Sequence, residues 1–281
     1  MENPLQRALA WIGKACTGLV LLVCSVASVY PIIWMVATSL RTNSDVLVSP
    51  WGLPRSFLWQ NFVTTLERSP IPRYFLNSVI VSGSSVTLIV IVSSMAAYAF
   101  ARLTFKLRSP LFYLCLMGLA IPPQIALVPL FIINNKTGIA NTYLALIGPD
   151  AAFGIPFGIL VIRSFMLTLP KELEDAAELD GCSRFALFWR IYLPLSRPAL
   201  AVVAVFSFVG TWNEFLFALT FVNKPELKTL PVGLMDFIGE FTTQWPLMAA
   251  GMVLATIPMI VFYILMQKRL MEAMTTGAVR G

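Results

Sequence analysis

The chain contains no histidine. That removes the side chain most often used as general base, zinc ligand or proton shuttle near neutral pH. A GxxxxGK[ST] phosphate loop is also missing, because Gly13-Lys14 has Ala8 where the first glycine belongs and Ala15 where a hydroxyl belongs. Without that loop the chain is expected to bind no nucleotide and to catalyse no ATP hydrolysis of its own. No serine or cysteine stands in a recognisable nucleophile motif, so no catalytic residue is expected. Charge is scarce, at 12% of residues, against about 25% in an ordinary soluble domain. The strict period-2 alternation of a membrane barrel is absent as well. The four cysteines (Cys16, Cys24, Cys115 and Cys182) fall in apolar runs or in a polar loop, and imply no disulfide framework.

Long uncharged runs take the place of these features. Residues 15–40, 74–101, 109–135 and 241–267 carry no formal charge. Each is longer than the roughly 20 residues a helix needs to cross a bilayer core. A soluble core helix would show polar residues every third or fourth position, and these runs do not. Two further apolar segments, 137–162 and 198–223, are each interrupted by one acid, Asp150 and Glu214. An open sheet cannot satisfy its edge amides in lipid. The fold class is therefore all-α, a polytopic membrane protein with six transmembrane helices. The spans are expected near 15–40, 75–101, 110–133, 141–165, 198–222 and 245–267, in one transmembrane domain over 1–281 without internal repeat.

Lysine and arginine set the orientation. Arg102, Lys106 and Arg108 share one short loop without an acid, and Lys171, Arg184, Arg190 and Arg197 crowd another. The positive-inside rule places these loops, and both termini, in the cytoplasm. The net charge of +6 then reflects topology rather than nucleic-acid binding. Residues 19–23, behind Arg7 and Lys14, resemble a signal peptide. The apolar run nevertheless continues through Trp34, Met35 and Val36, too long for a cleaved segment, and reads as a retained helix.

The loop over 168–197 carries the most information. In Leu169-Pro170-Lys171-Glu172-Leu173-Glu174-Asp175-Ala176-Ala177-Glu178-Leu179-Asp180-Gly181, Pro170 suits a first helical position. Glu172, Glu174 and Asp175 favour the positive end of the helix dipole. Leu173, Ala176, Ala177 and Asp180 share one face, and the small alanines would let another backbone approach. Gly181 suits a left-handed helix end. Ser183 is expected to cap a second helix bearing Phe185, Phe188 and Ile191, stopped before Pro194. On these features alone, an ordinary surface helix with a glycine cap stands beside a docking element.

Asp175-Ala176-Ala177, Gly181, Ile191 and Leu193-Pro194 resemble, interval by interval, the E-A-A, x3, G, x9, I-x-L-P signature of ABC importer permeases. Asp175 replaces the usual glutamate, with Glu174 beside it. Phe153-Gly154-Ile155-Pro156-Phe157, Trp212-Asn213-Glu214-Phe215-Leu216, residues 229–234 and the tail residues 276–281 are similar to the carbohydrate-uptake, maltose-type subset. The resemblance implies a type I importer permease fold in a bacterial inner membrane. It further implies a second related permease subunit, two ATPase subunits that bind ATP and Mg, an extracytoplasmic solute-binding protein and a sugar cargo. ATPase coupling would fall to Glu174, Asp175, Ala176, Ala177, Leu179, Asp180, Gly181, Ile191, Leu193 and Pro194.

Several positions keep two readings. Asp150, after Gly148-Pro149, lines a cavity or pairs with a polar group of a neighbouring span. Trp212, Asn213 and Glu214 contact sugar or serve gating and packing. Gly277 and Arg280 bring the tail to the ATPases or fray. The segment 42–72, with four prolines, Trp51 and Trp59, reads as an aromatic interfacial belt in preference to a binding-protein contact. An importer of a non-sugar solute, an ion-driven secondary transporter using Asp150 and a membrane scaffold are the competing functions. The ion-driven reading leaves the signature loop unexplained, and a scaffold would show no nucleotide-dependent change there.

Overall fold

The computed structural model of the protein describes residues 4–179, 181–239 and 242–278. Helices α1 (Pro4–Ser39), α2 (Asn43–Val48) and α3 (Gln60–Arg68) open the chain. They are followed by α4 (Ile71–Arg102), α5 (Arg108–Met117), α6 (Leu127–Thr137) and α7 (Leu144–Met166). Three short helices come next, α8 (Glu172–Leu179), α9 (Arg184–Leu187) and α10 (Leu193–Leu195). Then come α11 (Arg197–Trp212), α12 (Leu216–Phe221), α13 (Leu230–Gly233) and α14 (Trp245–Ala278).

Four of the expected spans are continuous helices long and apolar enough to cross a bilayer: Gly13–Ser39, Ile71–Arg102, Leu144–Met166 and Trp245–Lys268. The third and fifth differ from the straight helices expected. The third is a pair, Arg108–Ala120 and Pro123–Thr137, bent by 92°. Pro122 and Pro123 offer no amide donors and push Ile121 into extended backbone, so the helix cannot run through. In the fifth, Arg184–Leu195 meets Arg197–Trp212 at 73°, and a second break at residues 213–215 separates α11 from α12.

The chain forms two compact units, Met1–Ser69 with Leu234–Leu254, and Pro70–Gly233 with Ala255–Gly281. In the first, the apolar side chains of α1 are exposed from Leu19 to Ile33, which in water would be untenable and in lipid is the ordinary state. Arg41, buried just past α1, donates to the carbonyls of Asp45 (2.6 Å), Ser49 (2.8 Å) and Pro50 (3.4 Å). A buried guanidinium needs such acceptors, and here they fold the next turn back onto α1. Asn61 Nδ2 donates to the carbonyls of Ser39 and Arg41. Trp51 lies against Tyr30 and Trp34, at centroid distances of 6.3 and 5.7 Å, while Trp34 Nε1 donates to the Pro50 carbonyl.

In the second unit α4 and α7 form the most extensive helix pair, with α11 packed on both. The reason is steric. A Cβ at Gly154 would collide with Ile89, and one at Gly158 with Ser93. The two glycines, four apart on α7, therefore face two α4 residues four apart, the small-residue packing that lets membrane helices approach closely. Ser93 Oγ then donates to the Ile155 carbonyl at 3.1 Å. Pro149 lies inside α7 and leaves the carbonyl of Ala145 without its helical donor. Asn134 Nδ2 reaches that carbonyl in a long 3.5 Å hydrogen bond.

Candidate functional site

The polar loop after α7 folds largely as its residues dictate. Gly181 takes φ +76°, and the Cys182 amide donates back to the Ala177 carbonyl at 2.9 Å, closing the end of α8. Ser183 Oγ accepts from the Ala186 amide and caps α9. Two details differ from expectation. Pro170 precedes α8 instead of occupying its first turn, since the helix begins at Glu172. The second helix does not stop before Pro194. A π-helical turn, Phe188–Tyr192, intervenes, in which the Leu193 amide donates to the Phe188 carbonyl. This wider turn precedes the proline ring and lets the helix continue to Leu195.

The faces of α8 are rotated relative to the sequence reading. Ala177, expected on the docking surface, is only 6% exposed and packs into the core with Tyr98, Leu187, Phe188 and Tyr192. Ile191 and Leu193 pack against the same core, and Pro194 is half-buried. Asp175 and Ala176 are exposed, and Leu179 is 89% exposed. Glu174 turns inward, its Oε2 3.8 Å from Nη1 of Arg102. The motif thus divides into a seating half (Ala177, Ile191, Leu193) and a presented half (Asp175, Ala176, Leu179). Asp180 and Arg280 lie outside the described residues, and Gly277 continues the backbone of α14.

Three arginines organise the ends of the neighbouring spans. Nη2 of Arg102, the last residue of α4, donates to the carbonyls of Met166 (2.5 Å) and Leu169 (2.6 Å). In return Arg163 of α7 donates to the Phe100 carbonyl (3.1 Å), and Arg108 caps Phe100 and Ala101. Each helix end supplies the cation that satisfies the other's orphan carbonyls. The sequence marked Arg102 only as a topology signal.

Deeper in the same unit is a cavity of about 550 Å³, its walls including Asp150, Phe153, Phe157, Phe206, Asn213 and Glu214. Asp150 is 8% exposed and sits beside Ser85, within electrostatic reach of Glu214. Glu214 accepts hydrogen bonds from the amides of Phe217 (2.6 Å) and Ala218 (2.9 Å). Its carboxylate therefore caps α12 and stabilises the break that ends α11. Asn213 Nδ2 donates to the Val209 carbonyl. Trp212 does not join them. It is buried elsewhere, donating to the Ala255 carbonyl (3.2 Å) and stacked on Phe208 at 5.4 Å. Asp150, Asn213 and Glu214 are brought together, while Trp212 anchors α11.

Residues 89–275 match the family described as "Binding-protein-dependent transport system inner membrane component". The chain is 41% identical over 271 residues to "Probable ABC transporter permease protein YurM" of Bacillus subtilis (strain 168), covering 96% of this chain and 90% of that one. It is 37% identical to "Trehalose/maltose transport system permease protein MalG" of Thermococcus litoralis, covering 100% of this chain and 99% of that one. A chain from the crystal structure of a bacterial ABC transporter involved in import of the acidic polysaccharide alginate superposes with a TM-score of 0.80 at 19% identity. That superposition covers 96% of this chain and 99% of the other, and shows the fold they share. The signature loop and these matches converge: the chain belongs to the inner-membrane permeases of binding-protein-dependent ABC transporters.

Proposed function

We propose that this chain forms half of the transmembrane pathway of an ATP-driven importer for a neutral or cationic sugar. A second related permease completes the pathway, two ATPase subunits bind Mg-ATP at the cytoplasmic face, and a binding protein delivers cargo from outside. The observation that carries the cargo reading is the cavity. Phenylalanine rings offer apolar faces to the C–H surfaces of a sugar, while Gln124, Asp150, Asn213 and Glu214 offer hydrogen-bonding groups. No lysine or arginine lines it among the described residues. The carbohydrate cargo named for the Thermococcus litoralis relative supports the same class.

ATP hydrolysis belongs to the partner subunits in this reading, with Asp175, Ala176 and Leu179 presented to them and the tail through Gly277 and Arg280 approaching them. Both termini lie in the cytoplasm, as the basic loops around Lys106 and Arg190 favour. Purification through this chain should bring a second permease and ATPase subunits, with hydrolysis stimulated by sugar-loaded binding protein. A cysteine at Lys106 should label only from the cytoplasmic side. Uptake by this chain alone, abolished by an uncoupler, would replace this reading with an ion-driven one.

A further inference from the structure

The side chain of Arg102 is 4% exposed, which is not how a basic residue that merely marks the cytoplasmic side behaves. Such a residue extends its charge into water. Instead one guanidinium gathers four segments. It terminates α4, donates to the Met166 and Leu169 carbonyls at the end of α7, faces Glu174 of α8 and lies 4.9 Å from the ring centroid of Tyr192 in the returning helix. Tyr98, one turn earlier on α4, adds a hydrogen bond from its hydroxyl to the Arg184 carbonyl at 3.0 Å.

These contacts are unequal. The two carbonyl contacts are short, charge-assisted bonds, and Arg163 returns the tie from α7 to α4, so the two span ends behave as one piece. The Arg102–Glu174 contact, at 3.8 Å, is longer than a hydrogen bond. Among the described residues it is the longest of the three polar contacts that Arg102 makes with its neighbours. Ala177 packs α8 onto the core by shape alone and carries no charge.

Resting on the coupling reading above, we propose that Arg102 is the positioning residue through which displacement of α8 is passed to α4 and α7. Glu174 serves that internal joint and not the ATPase surface. The joint is then a physical element with two arrangements, which the nucleotide state of the ATPases biases.

The test uses the assembled transporter in proteoliposomes, with the four native cysteines replaced and one cysteine placed at Thr211 in the cavity wall. Its labelling rate is read with and without Mg-ATP. In the parent, Mg-ATP should change that rate. In Arg102→Lys and in Glu174→Gln the change should shrink by between about 5-fold and 150-fold, the range of ordinary coupling between sites. The ATPase subunits should still co-purify with each variant. The double variant should be no worse than either single one, because both break the same contact. A side chain needed only for folding would instead lower yield and lose the ATPases. Should Arg102→Lys fail to fold, Glu174→Gln carries the test. Loss of the ATPases in Glu174→Gln would make Glu174 a direct ATPase contact and overturn the proposal. A normal Mg-ATP response in both single variants would overturn it too. In that case Ala176→Trp, on the presented face, separates the two ideas. If Ala176→Trp removes the ATPases, the coupling loop stands without its joint, and if it does not, the coupling reading falls as well.

Discussion

Gly158 shows how much a missing methyl can matter in lipid. No hydrophobic effect drives two membrane helices together, so contact distance governs their attraction. A Cβ at Gly158 would meet Ser93 of α4 and lie 3.3 Å from Val203 of α11. Gly158→Val should therefore destabilise the helix pair by about 1–3 kcal/mol, the usual cost of overpacking, read as a lower thermal midpoint of the complex in detergent. Glu214 acts by hydrogen bonding. Its two oxygens serve two amides of α12, and losing such a cap costs about 0.5–2 kcal/mol. Glu214→Ala should lower stability by that amount, whereas Glu214→Gln keeps one acceptor and should lose less. Equal stability of Glu214→Ala and the parent would make the cap incidental. In the sequence Glu214 reads as an intramembrane acid, and its partners are invisible there because they are main-chain amides exposed by a helix break. The sequence reading did not single out Gly154 and Gly158 as a packing pair, and the structure is what shows Ile89 and Ser93 set against them.

At the scale of the element, α8 illustrates where pattern reading stops. The spacing of Leu173, Ala176 and Ala177 groups them on one face, although Leu173 and Ala176 are exposed and Ala177 is buried. It does not say which side meets the core, because alanine is small enough for either. The structure turns Ala177 in and Ala176 out, and a bulky substitution at each should then fail differently. Ala176→Trp should leave the chain as stable as the parent and abolish co-purification of the ATPases. Ala177→Leu should disturb the packing with Tyr98 and Tyr192, destabilising the loop by about 1–3 kcal/mol before any effect on assembly. Limited proteolysis of the loop distinguishes the two, and identical behaviour would reject the assigned faces. Three of the four continuous spans were legible from uncharged length alone, whereas Leu144–Met166 carries Asp150 and the uncharged run 109–135 is a bent pair. The bends were not, although Pro122-Pro123 marked one of them. Hydropathy measures length in lipid and is blind to a helix that turns through 92° without becoming polar.

For the whole molecule, the proposed cargo class rests on the groups that line the cavity. Asp150 and Glu214 line it, and no basic group lies among the described lining residues. An ionised carboxylate repels a second one about 8 Å away by roughly 2 kcal/mol at an effective dielectric near 20. That corresponds to about 30-fold in affinity. The chain shares its fold with a transporter involved in import of an acidic polysaccharide, so the fold itself does not forbid anionic cargo. Under the proposed function, the lining contributes to discrimination. A neutral oligosaccharide should therefore stimulate ATP hydrolysis by the reconstituted complex well above a uronic oligosaccharide of equal length, when each is presented at saturation of the binding protein. The binding protein also selects, and the comparison has to remove its contribution. Asp150→Asn combined with Glu214→Gln does so, since it leaves the binding protein untouched and removes both cavity carboxyl groups. Raised ionic strength offers a second control, because a recessed site is screened less than the protein surface. If the lining selects, the double variant should narrow the gap between the two cargoes by about 10-fold or more, and salt should barely change it. An unchanged gap in the double variant would place selection wholly in the binding protein or the partner permease, leaving Asp150 and Glu214 with structural roles alone.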